Sequence, residues 1–405
     1  MGRRVQLTES IDALMKQLEA VDTGWKAYEC RLVTPMYGGG VKRGEVDKEM
    51  PIRASSIRGQ LRFWWRIACG PFKSSQEMFA RETAIWGGIG DKSPTASKVD
   101  VHITQSNGKV GLVSSKSQPY GKSASYGFGA AANNGEAQWL QEGFEFSLRI
   151  RYPKTIAEEV DASLRWWVAF GGLGARTRRG FGAVRCDEIG LVTNKEIERA
   201  GCRVMHAEKQ ESTPIEAWKT ANARLMKFRQ GPGFARNDGN PRPGRSFWPE
   251  PDQLRRDTNK NDDGRHMPEH KSGNVFPRAA FGMPIIFDFH KTSEPDNKRT
   301  ELLPATAERM ASPLILGPTW MDRHWRATAL LLPTWKEALT MPLRYKSLPG
   351  KIPSHWPGNI NDQQDKARYI RPNQQGAPGP MVKADGSLRA DDPLSAFMQF
   401  FAEGK

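Results

Sequence analysis

The sequence lacks the residue patterns of several common enzyme and metal-binding classes. Its four cysteines are scattered without a CxxC pair, so a zinc ribbon is unsupported and reduced core thiols are expected. No stretch approaches the roughly eighteen apolar residues of a membrane span, and no signal-peptide pattern is present, which favours a cytoplasmic protein. There is also no GxSxG and no HExxH, and no GK[ST] ends the Gly-rich segment of residues 171–182, so that segment is not a Walker-type phosphate loop.

Histidine is scarce, with seven residues in the chain, and none is well placed for chemistry. His266 and His270 have i+4 spacing, but Pro268 lies between them in a polar segment, which favours a solvated loop over a metal site. Asp47 and Asp100 are single acids beside predicted strands and are weak candidates for an RNA-cleaving site. We therefore predict no catalytic residue, no metal and no cofactor.

Acidic residues are in deficit, because 45 Asp and Glu stand against 60 Lys and Arg, giving a net charge of +15. Such an excess favours a polyanionic partner through neutralisation of phosphates and release of counterions. The length of 405 residues predicts two domains. A hydrophobic content of 38% with a mean hydropathy of −0.63 indicates long polar loops around modest cores.

The most concentrated basic and aromatic stretch is PIRASSIRGQLRFWWR, residues 51–66. It predicts a helix whose apolar face comprises Ile57, Leu61, Trp64, Trp65 and Ala68 at helical spacing. Both tryptophans are therefore assigned mainly to the core. A second stripe of arginines at i+4 steps remains for a partner, and the free amides of the first helical turn attract anions. We predict that Arg53, Ser55, Ser56, Arg58 and Arg62 hold phosphates at this helix.

A second basic segment, GGLGARTRRGFG at residues 171–182, holds five glycines and three arginines. Glycine allows the backbone to approach a ligand closely, and the arginine fork matches phosphate oxygens. This composition favours phosphate binding by Arg176, Arg178 and Arg179 over a solvated basic turn. The segment follows a predicted helix and precedes a strand, which is the reverse of a dinucleotide-binding fingerprint.

The order of predicted elements in the first part of the chain is strand, helix, strand, strand, helix, strand. Strands are expected at 25–37, 99–105 and 144–152 and after the Gly-rich segment, and the two helices share an LRFWW/LRWW signature. This is the split βαβ order of a ferredoxin-like domain. The predicted fold class is therefore α+β, with a first domain over residues 1–194. Residues 1–22 of this domain are expected to form an amphipathic helix.

The remaining residues, 195–405, predict a second ferredoxin-like domain with irregular insertions. A helix is expected at 214–230, strands at 281–290 and 325–334, and a terminal helix from residue 394. Residues 231–275 are predicted to form a long loop or an insertion, and residues 341–393 a weakly structured run, because both are rich in proline and polar residues.

The segments TPMYGGG, IRASSIRGQLRFWWR and GGLGARTRRGFGAV together resemble the RAMP superfamily of CRISPR-associated proteins. The resemblance is strongest to the first RAMP subunit of the type III-B, or Cmr, effector complex. RMASPL (309–314) and SFWPE (246–250) resemble markers of the second half of that family. The match covers the first 190 residues well and later residues in patches, and the 231–275 segment does not align.

This resemblance implies two ferredoxin-like (RRM-type) domains in a ribonucleoprotein that uses a guide RNA. It implies a non-catalytic subunit that holds the 3′ part of the guide RNA (crRNA) and the paired single-stranded target RNA beside other Cmr subunits. Two alternatives remain open: a RAMP endoribonuclease that processes precursor guide RNA, and a scaffold that binds acidic neighbouring subunits. The predicted RNA-binding residues are Lys42, Arg43, Arg53, Ser55, Ser56, Arg58, Arg62, Lys122, Arg176, Arg178 and Arg179, and Lys116 and Tyr126 lie in the same Ser/Gly-rich stretch as Lys122.

Overall fold

The computed structural model describes most of the chain. The described residues are 24–40, 44–47, 49–89, 93–105, 112–114, 120–128, 138–239, 242–289, 291–296, 298–374 and 376–404. The predicted N-terminal helix and the predicted RNA-binding residues Lys42 and Arg43 lie outside them, as does Lys116. None of the helices in the described ranges is long and apolar enough to cross a bilayer.

In the described part of the N-terminal half, strands alternate with four helices of eight residues or more. Its elements are β1 (Lys26–Leu32), β2 (Met36–Tyr37), α1 (Ala54–Ala68), α2 (Ser75–Trp86), β3 (Gly88–Ile89), β4 (Pro94–Thr95), β5 (Asp100–Gln105), β6 (Leu112–Ser114), α3 (Gly121–Phe128), β7 (Gln138–Leu140), β8 (Glu145–Arg151), α4 (Ala157–Phe170), β9 (Val184–Cys186) and α5 (Asn194–Arg199).

The main sheet of this half has the order β5-β8-β1-β9, and every neighbouring pair is antiparallel. Together with α1 after β1 and α4 after β8, this is the strand order and connectivity of the split βαβ pattern. The small sheet β2-β7-β6 lies outside it. The mixed α+β class is confirmed, and the predicted element order of the N-terminal half matches the described topology.

Helices α1 and α4 pack together on one face of this sheet because each places a tryptophan pair toward the core. Trp64, Trp65, Trp166 and Trp167 are each no more than 1% exposed. Trp64 stacks on Trp166 with ring centroids 6.0 Å apart. The assignment of Trp64 and Trp65 to the core is confirmed, and the shared LRFWW/LRWW signature follows from this common packing role.

The C-terminal half contains β10 (Arg203–Glu211), α6 (Pro214–Gln230), α7 (Glu250–Thr258), β11 (Leu302–Pro304), β12 (Leu314–Met321), β13 (His324–Leu331), α8 (Trp335–Thr340), β14 (Leu343–Tyr345), α9 (Ile360–Ala367) and α10 (Pro393–Glu403). Its main sheet has the order β10-β13-β12. This arrangement corresponds to three strands and two helices of the ferredoxin-like pattern, so a complete second ferredoxin-like domain stays a prediction.

The two halves share buried surface. The core cluster of the N-terminal half includes Ile315, Leu330 and Leu332 from the C-terminal sheet. Helix α10 covers the other core with a row of buried aromatic residues, including Phe397 and Phe400. The division near residue 195 remains a prediction, because hydrophobic contacts cross it.

Three sequence predictions for the C-terminal half were wrong. Residues 231–275 are not one long loop, since they contain α7 and a buried network of ion pairs around Asp252. Residues 341–393 are not weakly structured, because they contain β14 and α9 and bury Trp356. The expected strand at 281–290 is replaced, over its described residues, by isolated bridges at Met283 and Ile285, consistent with Pro284 having no amide hydrogen to donate.

The network that orders the 231–275 segment is centred on buried carboxylates. Asp252 accepts from Arg245 at 2.8 Å, from Arg255 at 3.0 Å and from two backbone amides. Arg255 also donates two bonds of 2.9 Å to the buried Glu294. The polar composition predicted a loop because composition does not show which charged side chains pair with each other when they are about 40 residues apart in the sequence.

Candidate nucleic-acid interface

The N-terminus of α1 lies against the Gly38–Gly40 turn that follows β2. Arg53 occupies the N-cap position in extended geometry, and its side chain does not cap the helix. Its Nη2 instead donates to the carbonyl of Gly39 at 2.7 Å. Gly38 and Gly39 have φ values of 60° and 108°, which a side chain would strain. The turn is therefore held against the helix end by an arginine.

The next residues of α1 present polar groups to solvent. Ser55 is exposed, Ser56 is half-buried, and the first turn contains no acidic side chain. Arg58 is half-buried and donates from Nη2 to the carbonyl of Val99 at 3.4 Å. The positive end of the helix dipole and the positive charges of the arginines thus coincide here, which favours an anionic ligand.

Arg62, also predicted to bind phosphate, has a partner inside the protein. It donates from Nε to Glu82 at 2.7 Å, and Arg66 makes bonds of 2.6 and 2.7 Å to the same carboxylate. The Glu82 side chain is only 3% exposed. Burial raises the pKa of Glu82, but the hydrogen bonds from Arg66 and Arg62 outweigh burial, so the pKa lies below its ordinary value. This pairing anchors α2 to α1.

The glycines of the 171–182 segment are required by packing within the protein. A Cβ on Gly182, whose φ is +66°, would lie 2.0 Å from the Leu173 carbonyl oxygen. A Cβ on Gly174 would meet the Tyr37 carbonyl oxygen at 2.6 Å, and one on Gly180 the Leu316 carbonyl oxygen at 2.8 Å. The glycine content therefore has an explanation that does not involve a ligand.

Two arginines of this segment point into the C-terminal half. Arg178 donates from Nη1 to the Ser312 carbonyl, and Arg179 donates from Nη1 to the Leu314 carbonyl at 3.2 Å. Burial, with a smaller effect of Arg229, lowers the pKa of Arg179 to about 10. The ring of Phe63 on α1 lies 5.7 Å from the Arg178 guanidinium. These two cations connect the halves of the protein.

Arg176 differs from its neighbours because it is exposed, with a left-handed φ of 62°. The adjacent Ala175 donates its amide to the Tyr37 carbonyl at 2.8 Å, which attaches the Gly-rich segment to β2. Since Arg53 contacts Gly39, two residues after Tyr37, the two predicted basic segments border the same short stretch of chain. Arg53 itself and Ala175, the neighbour of Arg176, thus both bond to residues 37–39.

Lys122 lies on a different element. It is exposed on α3, which packs against α6 of the C-terminal half. At the start of this helix Tyr120 contacts Trp139 and Trp218, with ring centroids 5.8 and 5.6 Å apart. The structure therefore places Lys122 on the surface above an aromatic cluster that both halves share, and not on α1.

Sequence reasoning missed Arg185, which lies over the rings of Trp320 and Trp325 at 4.1 and 5.5 Å. It also missed Glu82, the partner of Arg62 and Arg66. No local signal identified either contact, because Arg185 and Trp320 come from different halves of the chain. Among the described residues, no group of three His, Cys, Asp or Glu side chains has the arrangement of a metal site.

One protein-family model matches part of the chain. Residues 29–185 match the model of the RAMP superfamily, and no curated protein matches the sequence. The crystal structure of apo Cmr1 from Pyrococcus furiosus is 14% identical, with a TM-score of 0.44, covering 79% of this chain and 98% of that one. A chain of a type III-B Cmr-beta complex bound to cognate target RNA is 10% identical, with a TM-score of 0.41, covering 80% and 96%.

Proposed function

Taking residues 29–185 as a RAMP superfamily segment, we propose that this protein is a non-catalytic RNA-binding subunit of a cytoplasmic type III-B CRISPR ribonucleoprotein. It holds the 3′ part of the guide RNA and the target RNA paired with it, beside other Cmr subunits. The sequence motifs quoted above and the net charge of +15 support this assignment, because the backbone of an RNA duplex is recognised mainly through phosphates and shape.

The observation that carries the proposal is that Arg53 and the Gly-rich segment are both bonded to residues 37–39. The Arg53 bond to Gly39 and the Ala175 bond to Tyr37 fix these two segments against β2. A ribose-phosphate strand that follows this border meets a helix N-terminus, Ser55 and two arginines in succession. Arg58 adds a further arginine on α1, and Lys122 is an exposed cation on a separate element, α3.

The geometry divides the predicted RNA-binding residues by role. The RNA contacts of this proposal are Arg53, Ser55, Ser56, Arg58, Lys122 and Arg176. Arg62, Arg178 and Arg179 have a supporting role, because their hydrogen bonds connect this region to α2, through Glu82, and to the C-terminal half, through the carbonyls of Ser312 and Leu314. The bonds of Arg53 and Arg58, to the carbonyls of Gly39 and Val99, stay within the N-terminal half. Lys42 and Arg43 remain predicted contacts.

A non-catalytic role is supported by the commitment of several histidines to internal contacts. His206 bonds Thr328 at 2.9 Å, and His270 bonds the Phe247 carbonyl at 2.8 Å. Burial lowers the pKa of both rings. Neither ring has the exposure that proton exchange with a 2′-hydroxyl group requires.

The proposal is tested by co-purifying the protein with its genomic neighbours and sequencing the bound RNA. We expect a population of guide RNAs, and we expect the purified protein to bind labelled single-stranded RNA with an affinity that falls steeply with salt. Site-specific cutting of repeat RNA by the purified protein would instead identify the endoribonuclease. Stable assembly with neighbouring subunits but a shallow salt slope for RNA would identify the scaffold.

A further inference from the structure

A cavity of about 300 Å³ lies between the two halves, away from the Arg53–Arg176 border. One wall is formed by α4 and the segment from Val184 to Leu191, and the other by the β12–β13 hairpin. Two residues in left-handed geometry, Asp322 and Arg323, form the hairpin turn, which sets Trp320 directly opposite Trp325. Neither the family match nor the proposed RNA contacts assigns a role to this cavity.

One wall of the cavity is formed by Arg185 and two indole rings. The guanidinium of Arg185 lies 4.1 Å from the centroid of the Trp320 ring, and the rings of Trp320 and Trp325 are 5.2 Å apart at an angle of 60°. The Arg185 side chain is 21% exposed, and Trp320 is half-buried. Arginine planes and indole rings are the surfaces on which nucleobases stack.

The cavity also has a polar edge. Among the described strands, β9 pairs only with β1, and its residues 184–186 line the cavity. Backbone amides and carbonyls at a sheet edge can bond the edge of a planar heterocycle. A purely aliphatic occupant would cover these groups without bonding them, which costs free energy.

The charges at the cavity rim disfavour a phosphate as the recognised group. Arg185 is paired with Asp187 at 2.6 Å, and Arg165 with Glu196 at 2.7 Å. The Asp187 side chain is 77% exposed and would repel a phosphate placed at the rim. The lining is otherwise apolar, with Val168, Ile189 and Pro318 among its residues.

We propose that this cavity binds one nucleobase, stacked against the Arg185–Trp320 wall and hydrogen-bonded to the β9 edge. The base belongs either to a free nucleoside or nucleotide or to an unpaired nucleotide of an RNA strand. Because a free nucleoside suffices, this site does not require RNA to bind along Arg53 and Arg176.

The test is calorimetric titration of the full chain with adenosine, uridine, their 5′-monophosphates and a short oligonucleotide. Trp320→Ala and Arg185→Lys remove the stack, and we expect each to weaken binding about ten-fold or more. Arg151→Lys is the matched control, because Arg151 also pairs with an aspartate, Asp100 at 2.7 Å, and lies 5.0 Å from the Trp25 ring. It should bind like the parent.

Stronger binding of the nucleosides than of the oligonucleotide would identify a free nucleoside as the source. Stronger binding of the oligonucleotide that is weakened in Trp320→Ala would identify an RNA base. No binding of any of these probes at millimolar concentration would overturn the assignment. Equal binding by the parent, Trp320→Ala and Arg185→Lys would also overturn it. So would binding of N-acetyltryptophan amide as tight as that of adenosine, because it would show an apolar pocket without base recognition. If RNA were found not to bind along Arg53 and Arg176, the nucleoside titrations would still test the cavity independently.

Discussion

The indole Nε1 of Trp218 donates a hydrogen bond to the backbone carbonyl of Arg179 at 2.7 Å. The same carbonyl accepts from Asn222 at 3.1 Å, while the Arg179 guanidinium reaches Leu314. Helix α6 and strand β12 thus hold both the backbone and the side chain of one residue in the Gly-rich segment. The position of that segment depends on the C-terminal half.

Substitution of Arg179 should therefore affect folding more than RNA contact. Arg179→Gln is expected to lower the free energy of unfolding by about 1–3 kcal/mol, because the Leu314 carbonyl loses a charged donor in a buried setting. Arg176→Gln should leave stability within about 0.5 kcal/mol, because its side chain is exposed. Urea unfolding of both variants measures this difference.

The same pair distinguishes the RNA contacts. Arg176→Gln should weaken RNA binding uniformly across sequences and reduce the salt slope by about one. Folded Arg179→Gln should bind with a slope close to that of the parent. If Arg179→Gln lost one unit of slope and kept full stability, Arg179 would be a direct phosphate contact and the division of roles proposed above would be wrong.

Gly182 tests whether packing explains the glycines of the 171–182 segment. Gly182→Ala should destabilise the protein by about 3 kcal/mol or more, because the new Cβ would lie 2.0 Å from the Leu173 carbonyl oxygen at a φ of +66°. Gly190→Ala is the control, since its Cβ would meet only Arg165 Cδ at 3.7 Å, and its stability should change by less than about 1 kcal/mol. Thermal unfolding of the two variants gives the comparison. Equal melting temperatures would contradict the packing explanation.

The sequence predicted the elements whose patterns are local. The spacing of Ile57, Leu61 and Trp64 defined α1 and its buried face, and the alternation of strands and helices predicted the order in the N-terminal half. Each of these signals arises within about fifteen neighbouring residues, where helix and strand periods are visible. The split βαβ order also led us to expect the two basic segments on neighbouring edges; Arg53 bonds Gly39 and Ala175 bonds Tyr37, and a shared RNA groove stays a prediction.

What the sequence could not predict depends on contacts between distant residues. Composition cannot show that Glu82 neutralises Arg62, or that Arg179 faces Leu314. Both arginines were predicted to bind phosphate because of their charge. In the structure, Arg62 pairs with Glu82, and Arg179 donates to the Leu314 carbonyl. The ion pairs of Asp252 are also invisible in the composition. They order a segment whose composition favours a loop.

Glu82 provides a test of the contact between α1 and α2. Glu82→Gln should lower the free energy of unfolding at neutral pH by about 2 kcal/mol, because two arginines lose one carboxylate that is 3% exposed. The figure is below that of a fully buried pair because the arginine side chains are 34% and 41% exposed. Glu308→Gln removes a pair of similar length, 2.6 Å to Arg344, whose glutamate is 82% exposed, and should cost less than about 1 kcal/mol.

The same carboxylate has a pH signature. The folded state holds the pKa of Glu82 below its ordinary value, so its contribution is complete above that ordinary value and is lost as the pH falls through the folded pKa. The difference in stability between the parent and Glu82→Gln should therefore shrink on acidification below about pH 4.5. A difference that stays constant from neutral to acidic pH would show that the ion pairs contribute nothing.

His270 should make the C-terminal half sensitive to mild acid. Its Nε2 donates to the Phe247 carbonyl at 2.8 Å, and its Nδ1 accepts from the Ser272 amide at 3.2 Å, so the buried ring is neutral. Burial lowers its pKa. The unfolded ring therefore takes up a proton first, and stability falls as the pH drops below about 6.5, by up to about 1.4 kcal/mol per pH unit from this residue. Urea unfolding between pH 7.5 and 5.5 should show a smaller slope for His270→Gln than for the parent. Equal slopes would mean that the ring is already protonated in the folded protein or titrates alike in both states.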